Sequence, residues 1–288
     1  MKLIKPSWEI LEQELGIDGI YRAIERAGRT CYRSEDKITE DSSKGFVDRM
    51  IKSGHGAMLE HGTVYLMIDC SGMLLDIANK YVHNKYSKWA LHKDGKHYCI
   101  TSNLRVLVEN GWLDDLKYIC EPTEHHEKRI TVRFVCDRGI SHEFVRHRVF
   151  SFAQESTRYC NYSKDKFSNE VTFIEPCWLE DYNYDGNTYQ NCFLTALVAT
   201  EASYFDLLKK WDGRIPDKRY KTGFRNNPWT PQQARAVLPN ALKTELVMTG
   251  FINDWKHFFE LRCAPNAHPS ARELAIPLSE EFIKRGLV

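Results

Sequence analysis

The sequence predicts an α+β fold in which a mixed or antiparallel central sheet is flanked by helices. Three observations carry that prediction. Residues 188–211 and 251–262 space their apolar side chains for helices, residues 63–70 and 130–136 alternate them for strands, and the segments do not follow the β-α-β order of a doubly wound sheet. The 288 residues, 42% of them hydrophobic, are enough to bury a sizeable core. No internal repeat or low-complexity linker divides them, so one domain over 1–288 is expected, with insertions near 82–128 and 178–228.

Taken in order, residues 7–26 carry Ile10, Leu11, Leu15, Ile20, Tyr21 and Ile24 at helical spacing and predict the first helix, interrupted at most by Gly16 and Gly19. A second helix is expected over 39–52, with Phe46, Met50 and Ile51 inward. Val64, Leu66 and Ile68 share one face of the strand 63–70, and Val132, Phe134 and Cys136 share one face of 130–136. The polar stretch 81–128 between them reads as a surface excursion. Tyr189, Phe193, Ala196, Thr200, Tyr204, Leu207, Leu208 and Trp211 form the stripe of the helix 188–211. After a loop rich in Pro, Gly and Asn, Thr230-Pro231-Gln232-Gln233 reads as an N-cap, a first-turn proline and a capping-box glutamine. That short helix should stop at Pro239, and the last expected helix is 251–262.

Charge and composition exclude several classes of function. Forty basic against 39 acidic side chains give a net charge of +1, which is no footprint for nonspecific nucleic-acid binding, so any bound anion must be held by locally placed cations. No apolar run approaches the roughly 20 residues of a membrane helix, and Pro6 followed by acids does not read as a signal peptide. Nine cysteines, an odd number without any CxxC, read as thiols in a reducing cytoplasm. The 11 histidines show no zinc-type spacing, and no structural metal is expected. Neither GxGxxG nor GxxxxGK[ST] is present.

The densest chemistry lies in 141–159. A short helix carrying Ile140 and Phe144 should end at Arg146-His147-Arg148, where cations are electrostatically favoured. Beyond it Ser151, Gln154, Ser156 and Arg158 are packed among Phe150, Phe152 and Tyr159, a mixture that suits a phosphate and a planar ring. Arg146-His147-Arg148, seven residues, and then Ser156-Thr157-Arg158 resembles the RHR…SxR signature of flavin-dependent thymidylate synthases. Gly54 to His61 is similar to that family's GHxxxxEH element, and Ala234-Arg235-Ala236-Val237-Leu238-Pro239 with Leu261-Arg262 to its C-terminal elements. The resemblance runs in order from about residue 29 to 275.

It implies that family's fold and a catalytic domain that converts dUMP to dTMP. FAD would be the bound redox cofactor, NADPH the hydride source and methylenetetrahydrofolate the carbon donor. It implies a homotetramer whose sites are shared between subunits, in the cytoplasm, without membrane or nucleic acid. Carried over residue by residue, Glu143, Arg146, Gln154, Ser156, Thr157, Arg158, Arg235 and Arg262 are expected at the nucleotide. His55, Glu60, Arg146, His147, Arg148, Asn253 and His257 are expected at the flavin, the last two only where another subunit packs on them.

Read from the residues alone, Arg262 lies four after Phe258 and seven after Trp255, on the apolar stripe of its helix. There an unpaired guanidinium would be costly; it either caps carbonyls at the helix end or is a cation held at a ligand site, and the resemblance implies that the ligand is the uracil ring, where it would stabilise a developing anion. Ser156 lacks an adjacent base and is given a positioning part in catalysis. Glu143 either pairs with Arg146 one turn on or belongs to the site. Two other readings stay open: an NADPH-dependent flavoprotein oxidoreductase without methyl transfer, and a nucleic-acid-binding module that stacks bases on the aromatic residues.

Overall fold

The computed structural model describes residues 1–72, 74–179, 188–209 and 228–288. The end of the expected helix at Trp211 and about half of the expected insertion 178–228 lie outside them. Two compact units form: Met1–Pro6 with Cys136–Gly139 and Ser156–Thr244, and Ser7–Val135 with Ile140–Glu155 and Glu245–Val288. Helices and antiparallel strands mix in one chain, as the patterning predicts.

In the larger unit a four-stranded sheet has the order β2 (Ser7–Leu11), β6 (Arg129–Asp137), β9 (Lys243–Phe251), β7 (Ser151–Gln154), with β2 and β7 antiparallel to their neighbours. The expected helix over 7–26 is corrected here. Ser7–Leu11 is a strand in register with β6, Ile10 opposite Val132, and the helix α1 starts only at Gly16 and runs Gly16–Tyr32. Pairing along β6 outweighs a local helical pattern that spans only its first residues. Gly16 marks the break, since it adopts φ +77° in the left-handed region that glycine tolerates.

A second, antiparallel sheet has the order β3 (Thr63–Asp69), β5 (His97–Asn103), β4 (Lys88–Leu91). Its buried face, Val64, Leu66 and Ile68 with Ile100, joins Ile20 and Ile24 of α1 and Phe46, Val47 and Met50 of α2 (Ser42–Lys52) in one core cluster. The stretch 81–128 is therefore no surface excursion. It supplies β4, β5 and α5 (Leu104–Asn110), and Tyr81, Ile100, Leu104 and Leu107 are fully buried. Its polarity is spent on internal bonds: Asn103 caps α5 through Val106 N–H, and Tyr81 donates to Asp115 at 2.7 Å. The short α3 (Gly56–Leu59) and α4 (Leu74–Val82) complete this layer.

Against the four-stranded sheet's side of the same unit packs an aromatic cluster. Trp255, Phe258 and Phe259 of α9 (Ile252–Arg262) meet Phe134 of β6, Phe144 of α6 (Arg138–Phe144) and Phe282 of α10 (Pro269–Lys284) at ring separations of 5.0–6.3 Å. The smaller unit pairs β1 (Lys2–Ile4) with β8 (Thr172–Ile174) in parallel and packs them with α7 (Thr188–Leu208). In α7 the buried positions are Leu197 and Tyr204, against Cys160, Tyr162, Val171 and Phe173. Tyr189 and Ala196, expected on the inward stripe, are exposed. Thr230 and Gln233 form the expected capping box of α8 (Pro231–Ala234).

Candidate functional site

The signature is divided by the fold. Arg146, His147, Arg148 and Gln154 belong to the larger unit with His55, Glu60, Glu143, Asn253, His257 and Arg262, whereas Ser156, Thr157, Arg158 and Arg235 belong to the smaller one.

Two motifs of the larger unit converge on one pocket of about 670 Å³. Ala57 and Glu60 reach it from α3 and its C-cap, and Arg148 reaches it from the turn that follows α6. That volume falls within the roughly 300–1,000 Å³ of cofactor sites. Phe150, Phe152 and Phe251 give it aromatic surface, and Lys85, Lys88, Arg105, Arg129 and Arg148 give it positive charge. Gly250 is needed for close approach: a Cβ there would stand 2.5 Å from the Phe150 ring, which packs edge-on against Trp255 at 4.7 Å.

Four of those cations were not foreseen. Arg105 pairs with Glu60 at 2.5 Å and with Glu109 at 2.7 Å, which fixes the Glu60 carboxylate at the pocket wall. Arg129 is buried, yet its partners are neutral: the Glu60 carbonyl at 2.9 Å, Thr63 Oγ1 at 3.2 Å and Ser151 Oγ at 3.3 Å, with the Phe251 ring 5.5 Å from its Cζ. No carboxylate lies within 4.0 Å of it among the described residues. Burial lowers its pKa to about 10, so the group stays charged at neutral pH. A buried guanidinium without a carboxylate costs several kcal/mol unless something else compensates. An anion in the pocket is such a compensation. Lys128-Arg129 ahead of an apolar alternation reads in sequence as a solvated strand end, which hid this residue.

A second constellation surrounds Arg262. Its Nε donates to His147 Nε2 at 2.9 Å, one terminal nitrogen to the Glu143 carboxylate at 2.6 Å and the other to the Glu143 carbonyl at 2.7 Å. The arginine does cap a carbonyl, but at the end of α6 rather than of its own helix. Glu143 takes Arg262, not Arg146, as its ion pair. His147 is buried and accepts from Arg262, so it is a neutral ring with its proton on Nδ1. Its pKa is lowered to about 4, first by burial and then by the Arg262 guanidinium, not by its flanking arginines. His257 lies 6.3 Å from the His147 ring and so belongs to this corner. Gln154 donates to Ser141 Oγ at 2.8 Å.

Arg146, His55 and Asn253 are exposed, and His55 makes no side-chain cap to α3. In the smaller unit Arg235 donates to Thr157 Oγ1 at 3.1 Å, while Arg158 is exposed over the Tyr159 ring at 5.5 Å. The Ser156 hydroxyl accepts weakly from Arg158 N–H at 3.4 Å.

The family described as "Thymidylate synthase complementing protein" matches residues 116–285. The chain belongs to this family. The match takes in the signature, Arg235 and Arg262, while His55 and Glu60 lie ahead of it. A flavin-dependent thymidylate synthase of Mycolicibacterium gilvum (strain PYR-GCK) is 34% identical over 139 residues, which are 48% of this chain and 51% of that protein. One of Mycolicibacterium vanbaalenii (strain DSM 7251 / JCM 13017 / BCRC 16820 / KCTC 9966 / NRRL B-24157 / PYR-1) is 26% identical over 268 residues, 92% of this chain and 76% of that protein. The chain thus spans about half the length of the first relative and three quarters of the second. Among solved structures, a UMP/dUMP methylase PolB from Streptomyces cacaoi bound with 5-Br dUMP aligns over 99% of this chain and 93% of its own, at 17% identity and a TM-score of 0.43. No helix among the described residues is long and apolar enough to cross a membrane.

Proposed function

We propose that this chain methylates dUMP reductively to dTMP, with FAD as its bound redox cofactor, NADPH as hydride source and methylenetetrahydrofolate as carbon donor. The observation that carries this reading is the meeting of Glu60, from one family motif, and Arg148, from another, on the wall of a single pocket. The lining fits a dinucleotide: aromatic surface for a planar ring, and Arg148 with the buried Arg129 for a diphosphate.

A flavin bound there would supply the hydride that completes the new methyl group. The chain's own residues hold and polarise. Arg148 and Arg129 would take the anionic part of the cofactor, and Glu60, clamped by Arg105, would accept a donor from it. Arg262 would stabilise negative charge developing on the uracil ring. Three of its five N–H groups are engaged by Glu143 and His147, which leaves the others for substrate. Arg158, Arg235, Ser156, Thr157, Gln154, Glu143 and Arg146 would hold the nucleotide. Asn253, His55 and His257, all exposed, would meet the cofactors where a second copy packs on them. Exposed cations at 146, 148, 158 and 235 would be covered in a homotetramer with shared sites, and the proposed setting is the cytoplasm.

The test is dTMP formation by the purified chain, measured chromatographically with dUMP, NADPH, methylenetetrahydrofolate and FAD, and with each omitted in turn. The expected result is product only when all are present. NADPH oxidation without any dTMP would replace this reading with that of a plain flavoprotein oxidoreductase.

A further inference from the structure

We propose that the turn between β4 and β5 is a binding site for a divalent transition-metal ion of the zinc class, held by His92, Asp94 and His97 with His125 as fourth ligand. The sequence offers no zinc signature here, because the ligands belong to a hairpin and to a loop 28 residues further on, at His97 and His125. Folding brings them together. One atom from each of His92, Asp94 and His97 lies within 4.8 Å of the others, and Asp94 Oδ2 stands 3.0 Å from His92 Nδ1 and 2.8 Å from His97 Nδ1. A tetrahedral ion with bonds of about 2.0–2.2 Å sets its ligand atoms roughly 3.3 Å apart, so the two imidazole–carboxylate separations need to open by only about half an ångström.

The turn is braced without the ion. Gly95, at φ +69°, turns the chain and donates to the His92 carbonyl at 2.9 Å, and His92 N–H donates to the His97 carbonyl at 2.8 Å. Lys96 N–H takes Asp94 Oδ1 at 2.8 Å, which leaves Oδ2 aimed between the imidazoles. Such outer bonds orient ligands in metal sites.

Asp94 accepting two imidazole N–H bonds would explain these contacts without a metal, but it would not explain His125. That ring stands edge-on to His92 at a centroid separation of 5.0 Å. Its Nε2 is buried and makes no hydrogen bond, the Glu124 carboxylate staying 3.5 Å away. A buried ring nitrogen without a hydrogen bond is costly in a hydrogen-bonded turn and natural in a site that an ion completes. Three imidazoles and one carboxylate suit Zn²⁺ or its neighbours rather than Mg²⁺ or Ca²⁺, which take oxygen. The ion would tie the tip of the hairpin to the segment that leads into β6.

The test uses untagged, chelator-treated full-length protein titrated calorimetrically with ZnCl₂. Expected are about one Zn²⁺ per chain, a higher melting temperature with Zn²⁺, and no response to MgCl₂. His97→Ala and the double variant His92→Ala/His97→Ala should weaken binding by more than the roughly 10- to 100-fold that loss of an outer-shell partner costs, and His125→Ala should weaken it at least tenfold. His83→Ala, an exposed histidine outside the cluster, should bind as the parent does. Circular dichroism checks that each variant folds. The absence of saturable binding, or binding unchanged in the double variant, would overturn the site; wild-type affinity in His125→Ala would overturn the fourth ligand.

Discussion

Arg158 and Arg262 are held differently, and the roles proposed for them differ accordingly. Arg158 is exposed, with the Tyr159 ring 5.5 Å from its Cζ, and in the proposed site would bind through charge-assisted bonds worth about 1.5–3 kcal/mol each. Arg158→Ala should therefore raise the KM for dUMP roughly ten- to a hundredfold with kcat less affected. Arg262 is clamped on three sides before any ligand arrives, as preorganised transition-state stabilisation requires. Arg262→Ala should lower kcat by at least as large a factor and let the His147 pKa climb back toward its ordinary value, since one cause of its depression is gone. Steady-state dTMP formation and NMR titration of His147 check the pair. A wild-type kcat in Arg262→Ala would reduce Arg262 to the cap of α6.

Among the elements, the turn from α6 into β7 governs the pocket. Phe150 sits where it does because Gly250 of β9 has no Cβ. Gly250→Ala should push that ring off Trp255, cost about 1–3 kcal/mol of stability as overpacking does, and weaken flavin binding at the same wall; denaturant midpoints and flavin titration read the two effects. Long periodic elements were legible in sequence: β3, β6, α7, α9 and the cap of α8 stand within a few residues of expectation. The helix α10 was not, because Pro277 inside it breaks the pattern that announces a helix. Nor was β2, whose pairing with β6 is decided by distant residues. The candidate site shows the same division. Glu60 and Arg148 were legible from motifs, but Arg105 and Arg129 were not, since their roles depend on burial and on partners 45 to 69 residues away.

Buried neutral histidines give the whole molecule an acid sensitivity: burial holds His126 below its ordinary pKa, and His61 and His147 further still. Burial lowers His61 to about 3 and His147 to about 4 from an ordinary 6.5. At pH above 6.5 neither ring is protonated in either state, so their contribution to folding is unchanging there. As pH falls below 6.5 the unfolded chain takes up protons that the folded chain refuses, so stability declines until about pH 4 for His147 and pH 3 for His61. Each ring costs about 1.4 kcal/mol per pH unit in that window. Urea unfolding should show roughly 4 kcal/mol less stability at pH 5 than at pH 7 from the two together, and His147→Asn should remove about half of that loss. An equal loss in the variant would assign the acid sensitivity elsewhere.

If α3 and the turn after α6 build one flavin pocket, flavin affinity should depend on the cations of both walls. FAD binding, followed by quenching of flavin fluorescence, should weaken ten- to a hundredfold in Arg148→Ala, the loss of about one charge-assisted contact. It should weaken at least as much in Arg129→Met, whose fold circular dichroism verifies, and stay unchanged in Arg158→Ala. Wild-type affinity for FAD in both Arg148→Ala and Arg129→Met would place the flavin elsewhere and contradict the account.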